Sequence, residues 1–146
     1  MKLVIQRVKE TSLVVNNELI SEINRGLAIY VGGEKGDTVA SADYLAKKAV
    51  NMRIFEDENG KMNLSVLDKG YEILAISQFT LLADCSHGNR PGFANAESPD
   101  RAEELYKYFG LQCEKLGVTV KYGVLGADMK ISQLHDGPVT IIIEKK

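Results

Sequence analysis

An apolar run of strand character, Ile131-Ser-Gln-Leu-His-Asp-Gly-Pro-Val-Thr-Ile-Ile-Ile143, is cut in its middle by Gly137-Pro138. Proline has no amide hydrogen to give a sheet, so within sheets it is confined to edges, strand starts and bulges. The segment therefore reads as a turn at Asp136-Gly137-Pro138 that feeds a strand from Val139 to Ile143, with Ile131 to Leu134 as the other arm of a final hairpin. Gly137 also lets backbone approach a ligand closely. Local sequence leaves both readings open: an ordinary turn, or an interruption kept for a ligand.

The remainder of the chain sets the frame for that interruption. Leu3 to Val8 alternates as a strand, and the runs Leu13-Val-Val and Leu19 to Ile23 flank Asn16-Asn17, a hairpin signal. Gly26 to Val31 has the length of a buried strand and enters Gly32-Gly33-Glu34-Lys35-Gly36. That glycine cluster is read as a plain loop, because no Gly-Lys-Ser/Thr follows and Glu34 would repel phosphate. Asp37 or Thr38 caps a helix whose apolar positions Val39, Ala42, Ala46, Ala49 and Val50 recur at helical spacing. Met52 to Phe55 reads as a strand, Asp57 to Gly60 as a charged turn, and Asn63 to Leu67 fits either element. Tyr71 to Leu82 is the longest strand candidate. Ala83 to Ser98 is long for a connection and rich in Gly, Asn, Ser and Pro, the mark of a binding loop, with Arg90 as its phosphate contact. Ser98 as cap and Pro99 at the first helical position start a second helix, with Ala102, Leu105, Tyr106, Phe109, Cys113 and Leu116 on its apolar face and Gly117 at its end. Val118, Val120 and Tyr122 alternate as a strand, and Gly123 to Met129 connects it to the final run.

The expected fold is α+β: a mainly antiparallel sheet system covered by two principal helices, formed by one domain over residues 1–146. No repeat or low-complexity tract divides the chain. With 45% apolar and 26% charged residues it can bury a sizeable core. No apolar run approaches the roughly 18 residues of a membrane span, and the first residues lack the apolar region of a signal peptide, so a cytoplasmic location is expected. Cys85 and Cys113 match neither a disulfide framework nor metal-ligand spacing and are read as free thiols; no metal or cofactor is expected.

Taken alone, the chemistry-bearing residues offer Cys85 and His87 as a nucleophile and base, or Ser77 and Thr80 as hydroxyl nucleophiles. The only histidines are His87 and His135, and neither stands in a triad motif, so the third, orienting group is missing.

Four segments decide between these possibilities: Ser77-Gln78-Phe79-Thr80, Gly88-Asn89-Arg90-Pro91-Gly92-Phe93, Gly126-Ala127-Asp128-Met129 and Gly137-Pro138-Val139-Thr140. In this order and spacing they closely resemble the D-aminoacyl-tRNA deacylase family, over essentially the whole chain. The resemblance implies an enzyme that hydrolyses the ester between a D-amino acid, or glycine carried on tRNA(Ala), and the terminal adenosine of tRNA. It implies a barrel-like sheet and a homodimer with the active site at the subunit interface. Ser77, Gln78, Phe79, Thr80 and Met129 would build the adenosine pocket. Gly137 and Pro138, joined by a cis bond, would enter the other subunit's pocket and bind the substrate amino group through carbonyl oxygens, leaving no room for an L side chain. Arg7 would support that loop; by itself it reads as a strand residue with a solvated head.

Catalysis would rest on donors along residues 78 to 80 acting as an oxyanion site, with Gln78, Phe79 and Thr80 as the catalytic candidates. Thr80 as nucleophile and the tRNA 2′-hydroxyl as helper are both left open. With a net charge of -2 and pI of about 5.7, indiscriminate capture of nucleic acid is not expected, so the tRNA would be held by its 3′ end, with no DNA and no membrane as partner. Three residues depart from the family pattern: Leu125 where Phe is common, His135 where Asn usually precedes Asp-Gly-Pro, and Gly92 in place of Ser. Leu125 would loosen adenine packing, and His135 would add a mild pH dependence. The rival reading is a non-catalytic dimer that binds aminoacylated ends.

Overall fold

The computed structural model describes residues 1–146. The chain runs β1 (Lys2–Val15), β2 (Glu18–Ile23), β3 (Gly26–Gly32), α1 (Val39–Asn51), β4 (Phe55–Glu56), β5 (Met62–Leu64), α2 (Val66–Lys69), β6 (Glu72–Ser77), a 3-10 turn (Phe79–Leu82), α3 (Pro99–Lys115), β7 (Val120–Tyr122) and β8 (Lys130–Glu144).

β1 is the spine. Its whole length pairs antiparallel with β8. On its other edge residues 2–8 pair with β3 and residues 11–15 with β2. The β1–β2 hairpin turns at Asn16 and Asn17, whose φ of 50° and 64° suit the type I′ turn that matches strand twist. Beyond β3 the sheet continues as β6 and then β7, both pairings parallel. The sheet is therefore more mixed than the antiparallel expectation. Parallel neighbours need long crossovers, and α1 and α3 are those crossovers, which is why both helices lie on one face. At the far side the roll almost closes, since Ser21 Oγ donates to the Tyr122 carbonyl at 2.6 Å and Lys121 Nζ to that of Glu22 at 2.8 Å.

Rolling buries both faces of β3 and β6. Leu27, Ile29, Ile73 and Ala75 meet the helices through Leu45, Ala49, Leu105 and Phe109. Ala28, Leu74 and Ile76 point into the roll, against Val8, Leu13 and Ile23. A strand buried on both faces reads as a continuous apolar run, as Gly26 to Val31 does. Each fully buried Leu, Ile, Val or Phe side chain among them contributes about 1.5–3 kcal/mol.

Several sequence expectations are corrected. Ile131 to Ile143 is no hairpin: β8 is one strand whose two halves pair with the same partner, β1. His135 pairs with Val8 and Thr140 with Gln6, so Asp136 to Val139 stand opposite Arg7 alone as a large bulge. Proline is accommodated because bulged residues leave the hydrogen-bond ladder. β6 ends at Ser77 rather than running to Leu82, so the longest strands are β1 and β8. Met52 to Phe55 gives only the two-residue β4, and Ser65 caps a third, single-turn helix, α2. Thr38 caps α1, while Asp37 is buried elsewhere: its Oδ1 accepts the Met1 ammonium at 2.5 Å and its Oδ2 the Glu34 amide at 2.6 Å. No helix is long and apolar enough to cross a membrane.

Candidate active site

The cleft lies at the carboxyl ends of β3, β6 and β7, the end at which parallel strands present ligand sites in α/β sheets. It has a volume of ≈ 690 Å³ and is bounded by the 3-10 turn, residues 93–97, the start of α3 and the 125–129 connection. Ser77, Gln78, Phe79 and Thr80 line one side and Met129 and Leu125 the other. Five of the sequence candidates thus share one cavity.

Local chemistry explains the turn that carries Phe79 and Thr80, with Gln78 as its cap and Ser77 at the end of β6. The Gln78 amide still donates to the Val31 carbonyl at 2.8 Å, but β3 ends one residue later and offers β6 nothing further. The chain then tightens into the 3-10 turn, which packs on Gly32. A β-carbon there would sit 2.6 Å from Leu82 Cδ2 and 3.2 Å from the Gln78 carbonyl oxygen, so glycine is what permits the approach. The first amides of such a turn have no acceptor behind them. That of Leu81 reaches the Gln78 carbonyl, whereas those of Phe79 and Thr80 take part in no turn, loop or cap hydrogen bond. The Gln78 amide group donates to Thr80 Oγ1 at 3.0 Å, leaving the threonine proton free for another acceptor. Phe79, 54% exposed, meets Phe93 edge-on at 5.0 Å between ring centroids, and the pair offers an aromatic wall.

Phe93 is held there by a closed loop. Asp84 and Gly92 exchange two backbone hydrogen bonds of 2.8 Å, so residues 85–91 form an excursion that returns to the cleft. Within it, Asp84 accepts the Ser86 amide, and hydrogen bonds from Ser86 hold its carboxyl below the ordinary range. Cys85, His87 and Arg90 ride on this excursion, exposed, and no hydrogen bond joins Cys85 to His87. The other thiol, Cys113, is buried in the core and pushed up to about 12, chiefly by burial, which makes it inert. No group of three His, Cys, Asp or Glu stands together as a metal site.

Gly137 and Pro138 do not share this cleft. They are exposed at the tip of the bulge, joined by a cis bond, with Gly137 at φ 145°. The base of the bulge is held from two sides. Arg7, only 7% exposed, donates through Nε to the Asp136 carbonyl at 3.0 Å and through Nη1 to that of Ile54 at 2.8 Å, with the Asp136 carboxylate 3.5 Å away. Its head is buried, not solvated. Opposite, the His135 ring closes the bulge: its Nε2 lies 3.1 Å from the Val139 amide and 3.0 Å from the Val139 carbonyl.

Sequence reasoning missed Pro99, Ala102 and Glu103, which line the cleft from α3, and Glu97, whose carboxylate accepts the Ser98 amide at 2.8 Å. The spacing of 99, 102 and 103 marks one helix face and was the available signal.

The family model described as D-Tyr-tRNA(Tyr) deacylase matches residues 4–144. The chain is 49% identical over 99% of its length to a D-aminoacyl-tRNA deacylase of Geotalea daltonii, covering 96% of that protein. The one from Bacillus cytotoxicus is 50% identical, with both chains covered completely. The chain belongs to the D-Tyr-tRNA(Tyr) deacylase family. It is accordingly a hydrolase acting on an ester bond. Among solved structures, a c-Myc DNA unwinding element binding protein superposes with a TM-score of 0.94 at 42% identity, covering 100% of this chain and 99% of that one. A probable eukaryotic D-amino acid tRNA deacylase gives 0.83 at 16% identity, covering 99% and 98%, and shares the fold.

Proposed function

We propose that the chain hydrolyses the ester linking a D-amino acid, or glycine carried on tRNA(Ala), to the terminal adenosine of tRNA, acting in the cytoplasm as a homodimer. In this reading residues 1–146 are one functional unit, and each cleft is completed by Gly137 and Pro138 of the partner subunit. The observation that carries it is the division of labour in one chain: a cleft edged by the first amides of a 3-10 turn, and a braced, exposed bulge that lies outside that cleft.

The terminal adenosine enters between Phe79, Phe93, Met129 and Leu125. Leu125 offers an aliphatic wall where an aromatic one would pack the base more fully. The ester carbonyl faces the amides of Phe79 and Thr80, pre-placed donors for the oxyanion of the tetrahedral intermediate. A water molecule, assisted by the 2′-hydroxyl, attacks the carbonyl carbon; the bond to the ribose oxygen then breaks and that oxygen takes the proton. Thr80 donates its free hydroxyl proton toward the developing charge while Gln78 holds its oxygen. The carbonyl oxygens of the bulge receive the substrate ammonium group, and the space beside them excludes an L side chain. Arg7 and His135 hold the bulge in this position.

The test is loss of label from D-Tyr-tRNA, L-Tyr-tRNA and Gly-tRNA(Ala) under single-turnover conditions. Rapid loss from the first and third with retention of the L ester is expected. Equal stability of all three esters beside tight binding would mean a binding protein, and equal loss of D and L would remove the chiral filter.

A further inference from the structure

Away from the cleft, α1 presents a cationic concavity of ≈ 520 Å³ lined by Tyr44, Lys47, Lys48, Asn51, Met52 and Arg53, without one carboxylate. Tyr44 is 44% exposed and lies between two ammonium groups, Lys48 Nζ at 5.7 Å and Lys145 Nζ at 5.0 Å from its ring centroid. Attraction to the ring face holds both lysines in place while their heads stay exposed. The neighbouring acids are engaged elsewhere. Asp43 receives the Tyr108 hydroxyl on α3, Glu34 pairs with Lys146 and Glu144 with Lys2. Arg53 turns to Asn63, so the free cations are Lys47, Lys48 and Lys145. In a chain of net charge -2 this is a local concentration of positive charge. The other cationic hollow, with Arg7, Lys9, Arg25 and Lys69, also contains Glu56 and Asp136.

The patch is connected to the cleft through the chain ends. The Lys145 amide donates to the Met1 carbonyl at 3.0 Å, and the next residue, Lys2, reaches the Leu81 carbonyl, one residue past Thr80, at 3.5 Å. Lys146 sits on Glu34, whose bridge to Ala96 forms part of the cleft's rim. Lys2, Met1 and Lys145 thus form a continuous run of contacts from the 3-10 turn to the Tyr44 ring.

We propose that Lys47, Lys48 and Lys145, arranged around Tyr44, form a second RNA-contact surface that takes backbone phosphates of the tRNA whose 3′ end occupies the cleft. The proposal rests on the tRNA reading above. Lysine ammonium groups bind phosphates as point charges without reading sequence, and Tyr44 supplies a face for a ribose or base.

The test compares the parent with Lys47→Gln/Lys48→Gln/Lys145→Gln and with a control of equal charge change at exposed sites elsewhere, Lys61→Gln/Lys69→Gln/Lys115→Gln. Binding of uncharged tRNA is measured over a range of salt, and hydrolysis is followed with full-length D-Tyr-tRNA and with a D-tyrosylated CCA trinucleotide. Each phosphate contact contributes about 0.7–0.9 to the slope of log K against log salt, so loss of three should lower the slope by about 2 and weaken binding at least about tenfold at 0.1 M salt. KM for full-length substrate should rise correspondingly, with kcat and trinucleotide hydrolysis unchanged and the control like the parent. Parent and patch variant binding tRNA alike, or patch and control variants weakening alike, would overturn the proposal. Loss of binding to phosphatidylserine vesicles with tRNA binding intact would do so in favour of a membrane surface. Failure of the parent to hydrolyse either substrate would strike the catalytic reading alone, since the slope is read on uncharged tRNA.

Discussion

Arg7 and Gly137 each hold a position that no other side chain fits. Arg7 faces the bulge and spends two guanidinium donors on carbonyls of residues 54 and 136, a fork that lysine cannot reproduce. Arg7→Lys is expected to lose one of these hydrogen bonds, at about 1.5–3 kcal/mol for a charged donor, and to lower both melting temperature and D-Tyr-tRNA hydrolysis. Scanning calorimetry with single-turnover assays checks this; a variant unchanged in both would leave the brace without a role. At Gly137 the φ of 145° is a region reserved for glycine, and an added β-carbon would lie 2.6 Å from the Val139 amide nitrogen. Gly137→Ala should cost about 1–3 kcal/mol, relieved by displacing the exposed tip, so hydrolysis should fall roughly 5- to 150-fold with little change in melting temperature. Of these residues the sequence displayed the types and the segment, through Asp-Gly-Pro. It did not display the burial of Arg7, which depends on contacts with Ile54 and Asp136, 47 and 129 positions away, or the His135 clamp, whose four-residue reach forms only once the segment bulges from β1.

The elements of the cleft owe their form to where strands stop. Gly32→Ala should push the 3-10 turn off β3, weakening hydrolysis more than stability, because Leu82 can shift whereas the amides of Phe79 and Thr80 must keep their aim. Nuclear magnetic resonance shifts confined to residues 78–83, with reduced kcat, are the expected signature, and an unaltered kcat would count against the amide role. Acid acts on other elements. Asp57, Asp68 and Asp84 all have carboxyls held below the ordinary range, first by hydrogen bonds from Lys61, Ser65 and Ser86 respectively. Their folded values lie below the unfolded one, so the stabilisation is present above about pH 4 and is lost as pH falls through the folded values. Amide exchange should therefore quicken first in the 57–61 turn, the α2 cap and the 84–92 loop as pH drops below 4. Both principal helices were legible, since their apolar spacing and the proline at 99 are local signals. The parallel pairing of β3, β6 and β7 was not, because a buried strand has the same apolar run whichever way its neighbour points. Thr80-Leu81-Leu82 was read as strand for the same reason.

Across the whole molecule one face of the β1–β8 ribbon stands out. Ile142 is 61% exposed, with Val4 opposite it and Tyr30 beyond, an apolar stripe on a sheet face that water would otherwise cover. If the homodimer forms there, Ile142→Lys should yield a species near the 16.1 kDa chain mass in sedimentation, folded by circular dichroism and unable to hydrolyse D-Tyr-tRNA. A monomer with full activity would contradict the completion of one cleft by the other subunit. Met1 is also tied into the core: Asp37→Ala would leave its ammonium buried without its carboxylate, and a loss of about 3–5 kcal/mol is expected in denaturant titration. The bulge of β8 has a different kind of consequence. Residues 130–135 and 140–144 are each pinned to β1 by their own register, so the four residues between them are a cassette spliced into a frame that does not depend on their length. With Asp136 and Val139 keeping their contacts to Arg7 and His135, the exposed Gly137-Pro138 tip can be exchanged without respecifying the barrel, and its changes should register in substrate choice long before they register in folding.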